Sequence, residues 1–264
     1  MRIDGKRVLL TGASAGIGEQ LALQLAARGC KLVLAARSAD KLEAVAARCR
    51  ALGGSALAVP CDVGDEAACR SLAGTAAGAL QGLDVVVLNA GITMHSRFED
   101  VTDLSIFPRL MQTNFFGPVY LTHAALPHLR ASGGALVAVS SLVGKLGAPT
   151  RTAYAASKFA LQGFFESLRG ELRGSGVQIT VVYPGVVNTG IRARAQSGAG
   201  TELGASLIDE SKGMPAGTCA RLIVTAIERG RREQVMTIEG KIAALLKPFA
   251  PDLIDAAVRR KLGA

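Results

Sequence analysis

The chain of 264 residues contains no tryptophan, and its few phenylalanines and tyrosines bring the aromatic content to only 4%. Basic residues outnumber acidic ones, 30 to 21 for a net charge of +9, but they are spread along the sequence and form no tracts. Without aromatics interleaved among them to stack on bases, they give little support to nucleic-acid binding. A solvated surface that helps attract a phosphorylated ligand is the simpler reading. Cysteines are few and unpatterned: Cys30, Cys49, Cys61, Cys69 and Cys219 are odd in number and show no C-x-x-C spacing. That usage fits a reduced, cytoplasmic chain. The three histidines, His95, His123 and His128, make no ligand cluster with them, and no metal site is expected. Long apolar runs are also missing. Runs such as Val85-Val86-Val87-Leu88 are far too short to cross a bilayer, and the first strand begins too near Met1 to leave room for a leader.

What is present is a regular alternation of apolar segments. A hydrophobic content of 49% in a chain of this length is enough for one large core. Short apolar, partly β-branched runs predict strands at 7–11, 31–35, 56–60, 84–88, 135–140, 177–183 and 234–237. Helical periodicity predicts helices at 17–28, 39–50, 66–80, 104–130 and 152–173, with Pro118 and Pro127 expected to bend or break the fourth. Repeated β-α units with apolar strands imply an α/β fold: one doubly wound, Rossmann-type domain over 1–264, its seven-stranded parallel sheet covered by helices on both faces. In such sheets ligands bind beyond the carboxyl ends of the strands.

Two motifs fall at those ends. After the first strand comes Gly12-Ala-Ser-Ala-Gly16-Ile17-Gly18, leading into a helix. Glycines there permit a tight turn and let backbone N–H groups approach a pyrophosphate, which the helix N-terminus also attracts. The spacing is G-x-x-x-G-x-G and not the commoner G-x-G-x-x-G. Later, Tyr154-Ala-Ala-Ser157-Lys158 places a phenol and an ammonium one helical turn apart, thirteen positions after Ser141. A cation so held favours the phenolate, so a tyrosine with an ordinary pKa near ~10 is expected to exchange protons closer to neutrality.

Taken together, Thr11-Gly12-x-x-x-Gly16-Ile17-Gly18, Asn89-Ala90-Gly91, Asn114, Ser141, Tyr154-x-x-x-Lys158 and Pro184-Gly185 resemble the short-chain dehydrogenase/reductase family, in order and spacing, over roughly the first 190 residues. The stretches from Asn114 and from Ser157 are similar to the branch that includes hydroxysteroid dehydrogenases. One departure is Leu88, which stands where the family often has a first Asn. The resemblance implies a ketone–alcohol oxidoreductase with Tyr154 as general acid or base. Lys158 would lower its pKa and bind the nicotinamide ribose, Ser141 would hold the substrate carbonyl, and Asn114 would support a proton path from Lys158. Ser140 is expected to be structural. For Asn114 a helix-bending or capping role stays open. The resemblance also gives cofactor contacts to Thr11, Gly12, Ser14, Gly16, Ile17 and Gly18, to Asp62 and Val63 at the adenine, to Asn89, Ala90 and Gly91, and to Pro184, Gly185, Val187 and Thr189 near the nicotinamide. Asp62 is alternatively the N-cap of the following helix.

The second strand ends in Ala35-Ala36-Arg37-Ser38, with no acid to bind a ribose 2′-OH. Arg37 and Ser38 suit a 2′-phosphate, so NADP(H) is expected ahead of NAD(H). Residues 190–217 read as a mobile substrate flap. The tail at 241–264, with Ile242, Leu245, Leu246, Phe249, Leu253, Ile254 and Val258, is expected to pack on a subunit partner or the core; lining a pocket or resting on an anionic membrane surface are the alternatives. Expected partners are a small, apolar carbonyl or alcohol substrate and further copies of the chain, as a homodimer or homotetramer. Two other readings are a non-catalytic NAD(P)-binding scaffold or sensor, disfavoured by the complete set Asn114, Ser141, Tyr154 and Lys158, and a nucleotide-sugar epimerase, disfavoured by the short stretch after Thr189.

Overall fold

Consecutive side chains of a strand point to opposite sides of a sheet, so a strand buried on both sides divides its residues between two cores. The first strand, β1 (Arg7–Thr11), does so: Val8 and Leu10 enter one core and Leu9 the other. The computed structural model describes residues 1–206 and 210–262. Leu207, Ile208 and Asp209 of the expected flap and the last two residues of the tail lie outside them.

The chain continues through α1 (Gly16–Ala26), β2 (Lys31–Ala36), α2 (Ala39–Ala51), β3 (Ser55–Pro60), α3 (Glu66–Leu80) and β4 (Val85–Leu88). It then forms α4 (Ile106–Met111), α5 (Gly117–Ser132), β5 (Ala135–Val139), α6 (Thr152–Glu171) and β6 (Gln178–Tyr183). After these come β7 (Val187–Asn188), β8 (Met214–Pro215), α7 (Ala216–Glu228), β9 (Glu233–Val235), α8 (Ile238–Leu246) and α9 (Pro251–Leu262). Seven strands pair in parallel in the order β3-β2-β1-β4-β5-β6-β9. On one face Leu21, Leu25, Leu42, Val45, Ile223 and Ile227 bring α1, α2 and α7 against the sheet. On the other, Leu72, Leu121, Leu129, Leu161 and Phe165 bring α3, α5 and α6. Each fully buried side chain of this size contributes about 1.5–3 kcal/mol of transfer free energy.

Three local expectations are corrected. The helix expected at 104–130 is interrupted by a π-helical turn, Gln112–Phe116, and not by proline. Pro118 sits in the first turn of α5, where no N–H donor is needed, and Pro127 lies within α5 without ending it. The last strand of the sheet is β9, which starts one residue earlier and ends two residues earlier than the pattern at 234–237 suggested. A second, two-stranded sheet pairs β7 with β8, which the sequence did not announce.

The segment read as a mobile flap is also extensively tethered. The Gln196 N–H donates to the Thr93 carbonyl (2.8 Å), His95 N–H to the Gln196 carbonyl (2.9 Å), and the N–H groups of Thr102 and Asp103 to the Gly198 carbonyl. Among the described tail side chains only Ile254 is buried; Ile242, Leu245, Phe249 and Leu253 are exposed, so core packing does not account for them. No helix among the described residues is long and apolar enough to cross a membrane.

Candidate active site

The strand order reverses between β1 and β4, the point where a parallel sheet offers a ligand site beyond its carboxyl edge. The glycine loop follows β1 there. A Cβ on Gly18 would lie 2.1 Å from the Gly12 carbonyl oxygen, and Gly12, at φ +65°, has the Ala90 backbone 2.8 Å from where its own Cβ would be. Only glycine permits both approaches. The helix that follows, α1, begins after Ala15, whose side chain cannot cap it. Its first N–H groups are therefore left for a ligand, and with the positive end of the helix dipole they form a site for a pyrophosphate. That donor set fits the phosphates of a dinucleotide.

Several residues expected to touch the cofactor also brace this loop. The Thr11 hydroxyl, almost fully buried, accepts the Asn89 and Ala90 N–H groups (3.0 and 3.1 Å) and donates to the Val87 carbonyl (3.3 Å). The Asn89 amide donates to the Thr11 and Gly12 carbonyls (3.0 and 3.1 Å), pinning the end of β4 to the loop. Ser14, Gly16, Ile17, Ala90 and Gly91 remain partly exposed, and Thr189 lies over Gly16. The Val63 and Val187 side chains belong to the two cores. The Pro184 carbonyl accepts the Leu142 N–H (2.8 Å), and Gly185 lies against Thr237. Asp62 accepts the Gly64 N–H and is not the helix cap; that is Asp65, which accepts from the Ala68 N–H. Arg37 and Ser38 are both exposed at the end of β2, Arg37 with no hydrogen bond or ion pair among the described residues and Ser38 without a capping bond to α2.

The catalytic candidates meet at the ends of β4 and β5 and on α6. Asn114 is carried by the π-helical turn, a distortion that commonly marks functional sites. Fully buried, it accepts the Ile92 N–H (2.9 Å) and donates to the Ile92 carbonyl (2.9 Å) and the Ser157 hydroxyl (3.0 Å). Asn114 and Lys158 both border Gly91. Ser141 caps the turn after β5, its hydroxyl accepting the Val143 N–H (3.3 Å), and it opposes the rise in the Tyr154 pKa. Ser140, by contrast, is buried without a partner. Lys158 is 4% exposed and donates to the Val139 carbonyl (3.0 Å); its Nζ stands 5.8 Å from the centre of the Tyr154 ring. Desolvation depresses its pKa to about 8.

The phenol departs from expectation. Burial raises the Tyr154 pKa above its ordinary value, and what opposes that rise is the Ser141 hydroxyl together with the charges of Arg151 and Arg192. A desolvated Lys158 is not among the groups that lower it. Arg151 and Arg192 were not anticipated, nor was Ser157 as a support for Asn114. Arg151 stands three residues before Tyr154, a spacing that puts them on one helical face and was legible. Arg192 lies in an irregular stretch with no period to read.

A sequence model of the family described as short chain dehydrogenase matches residues 6–200. The chain is 37% identical over 263 residues to the 11-beta-hydroxysteroid dehydrogenase-like 4A of Arabidopsis thaliana, covering 98% of this chain and 85% of that protein. It is 40% identical over 262 residues to the 11-beta-hydroxysteroid dehydrogenase 1A of the same plant, covering 97% and 75%. Among solved structures, a short chain dehydrogenase/reductase from Burkholderia phymatum in complex with NAD superposes with a TM-score of 0.83 at 23% identity, covering 96% of each chain. An alcohol dehydrogenase from Thermococcus sibiricus complexed with 5-hydroxy-NADP gives 0.74 at 25% identity, covering 88% of this chain and 94% of that one.

Proposed function

The chain belongs to the short-chain dehydrogenase/reductase family, as an oxidoreductase of its hydroxysteroid dehydrogenase branch using a nicotinamide cofactor, and from that premise we propose that it interconverts a ketone and a secondary alcohol with NADP(H). The observation that carries this reading is that Lys158 lies 5.8 Å from the Tyr154 ring, with Ser141 after β5, in the same parallel sheet whose β1 leads into the uncapped N-terminus of α1. The cofactor supplies or accepts the hydride. Ser141 holds the substrate oxygen and Tyr154 gives it a proton during reduction or takes one during oxidation. A phenol whose pKa is raised stays protonated at neutral pH, which suits the acid role. Lys158, with a pKa of about 8, is placed to resupply the proton. Asn114, locked to Ile92 and Ser157, fixes the wall of that path.

The preference for NADP(H) is supported by the exposed Arg37 and the uncommitted Ser38 hydroxyl at the end of β2, and by the lack of an acid there. A substrate with an apolar body is supported by the relatives' names and by the apolar cluster of Met94, Ile106, Leu110 and Phe107 against which Tyr154 packs. Residues 190–217 are read as the cover of this site. Assembly as a homodimer or homotetramer through α5 and α6 is supported by the exposed rings of Phe116 and Phe159. A panel of ketones and alcohols assayed with NADPH and NADP⁺ tests the reading. Turnover of apolar ketones is expected; activity restricted to small polar sugars refutes the substrate class.

A further inference from the structure

In the segment after β7, tethered to the wall from which α6 and Tyr154 arise, lies a cationic group that carbonyl reduction does not require. Arg192 follows β7, with its side chain 16% exposed. Its Nε and Nη1 are buried and make no hydrogen bond among the described residues. Among the described residues its ion-pair partner is Glu210, with Oε1 3.9 Å from Nη1, beyond hydrogen-bond distance. Glu210 is otherwise engaged: its Oε2 accepts the N–H groups of Thr189 and Gly190 (3.2 and 3.1 Å) and so holds the turn that leads to Arg192.

A second guanidinium stands close by. Arg151, 8% exposed, opens α6 three residues before Tyr154 and donates through Nη1 to the Thr93 hydroxyl (3.0 Å) and the Met94 carbonyl (2.7 Å). The same Thr93 accepts the Gln196 N–H through its carbonyl, which fastens the segment carrying Arg192 to the wall carrying Arg151. The Arg192 charge acts on Arg151, on His95 and on the Tyr154 phenol. Arg192 thus faces one carboxylate already committed to the Thr189 and Gly190 N–H groups, and Arg151, on the adjoining wall, is bonded only to the uncharged Thr93 and Met94 among the described residues. Leaving buried guanidinium donors unpaired is unfavourable, and a carboxylate is the ligand whose oxygens complete them.

We propose that the substrate carries a carboxylate on the same molecule as its reacting carbonyl or hydroxyl, an oxo acid or hydroxy acid with an apolar body, and that Arg192 binds that carboxylate. The assignment rests on the reading of Ser141 and Tyr154 as the carbonyl site. In reduction the C=O π bond opens, the nicotinamide hydride forms the new C–H bond, Tyr154 gives its proton to oxygen, and the carboxylate is unchanged. Arg192 is a specificity residue, with Arg151 adding to the field that attracts the anion.

The test uses benzoylformate, benzoylacetate and benzoylpropionate, in which none, one or two methylenes separate the keto carbon from the carboxylate, each paired with its methyl ester. Binding to the full chain loaded with NADP⁺ is followed by calorimetry, and turnover with NADPH by absorbance. At least one acid is expected to bind roughly tenfold to a hundredfold tighter than its ester. Arg192→Met should collapse that ratio toward one, mainly through KM, while NADPH affinity is retained; Arg192→Lys should keep part of the ratio and serves as the readout if the Met variant does not fold. Equal affinity of acids and esters, or no binding of either, overturns the proposal. So does a loss of NADPH affinity in Arg192→Met, which would give Arg192 to the cofactor. Preferential binding of an acid without turnover of any probe would leave this inference standing and count against the oxidoreductase reading, so the two fail separately.

Discussion

Lys158 sets the energetic tension of the site at the scale of a single residue. It keeps an ammonium 4% exposed, with one carbonyl as its hydrogen-bond partner and no ion pair among the described residues. Burial lowers its pKa from 10.5 to about 8, so between those values the unfolded chain holds the proton and the folded chain does not. Stability therefore rises with pH through that window, and the penalty is fully present below it. Measured by thermal melting without cofactor, wild type should gain on Lys158→Met as pH rises from about 8 toward 10.5; a difference that stays flat across that range would contradict the burial of the charge. Arg37 is a residue of the opposite kind, exposed and unpaired among the described residues. Arg37→Asp should weaken NADPH by at least about tenfold while changing NADH by much less, read by fluorescence titration. Equal losses would remove the case for the 2′-phosphate.

At the scale of elements, the turn between β1 and α1 is the strictest part of the site. Adding one methyl at Gly18 brings a carbon to 2.1 Å from the Gly12 carbonyl oxygen, which neither backbone segment can yield without moving the loop. Gly18→Ala should lower stability by about 1–3 kcal/mol and weaken NADPH binding by tenfold or more; unchanged affinity would show that the loop does not form the phosphate cradle. This element was legible because glycine spacing reports backbone geometry directly. The strands were legible for a similar reason, since burial on both faces forces continuous apolar runs such as Val85–Leu88. The π-helical turn at Gln112–Phe116 was not, because its extra residue comes from the tertiary bonds of Asn114 to Ile92 and Ser157. Nor was the docking of residues 193–204 onto 93–103, whose backbone hydrogen bonds depend on no particular side chain.

Over the whole molecule, the strand order brings four distant stretches to one edge of the sheet: the glycine loop, the end of β4, Ser141 after β5, and Tyr154 with Lys158 on α6. Sequence spacing nominated these residues; burial in the assembled fold, which pushes the Tyr154 pKa up, and the charges of Arg151 and Arg192, which oppose that rise, were not legible in it. The protein is an oxidoreductase whose proton chemistry, in this account, converges on Tyr154 while the parallel sheet holds the cofactor side fixed. The most direct test replaces one oxygen atom. For the best ketone of the panel, kcat/KM with NADPH should fall by about 100-fold or more in Tyr154→Phe, with the melting temperature and the NADPH Kd close to wild type; turnover by Tyr154→Phe equal to that of wild type would contradict the assignment.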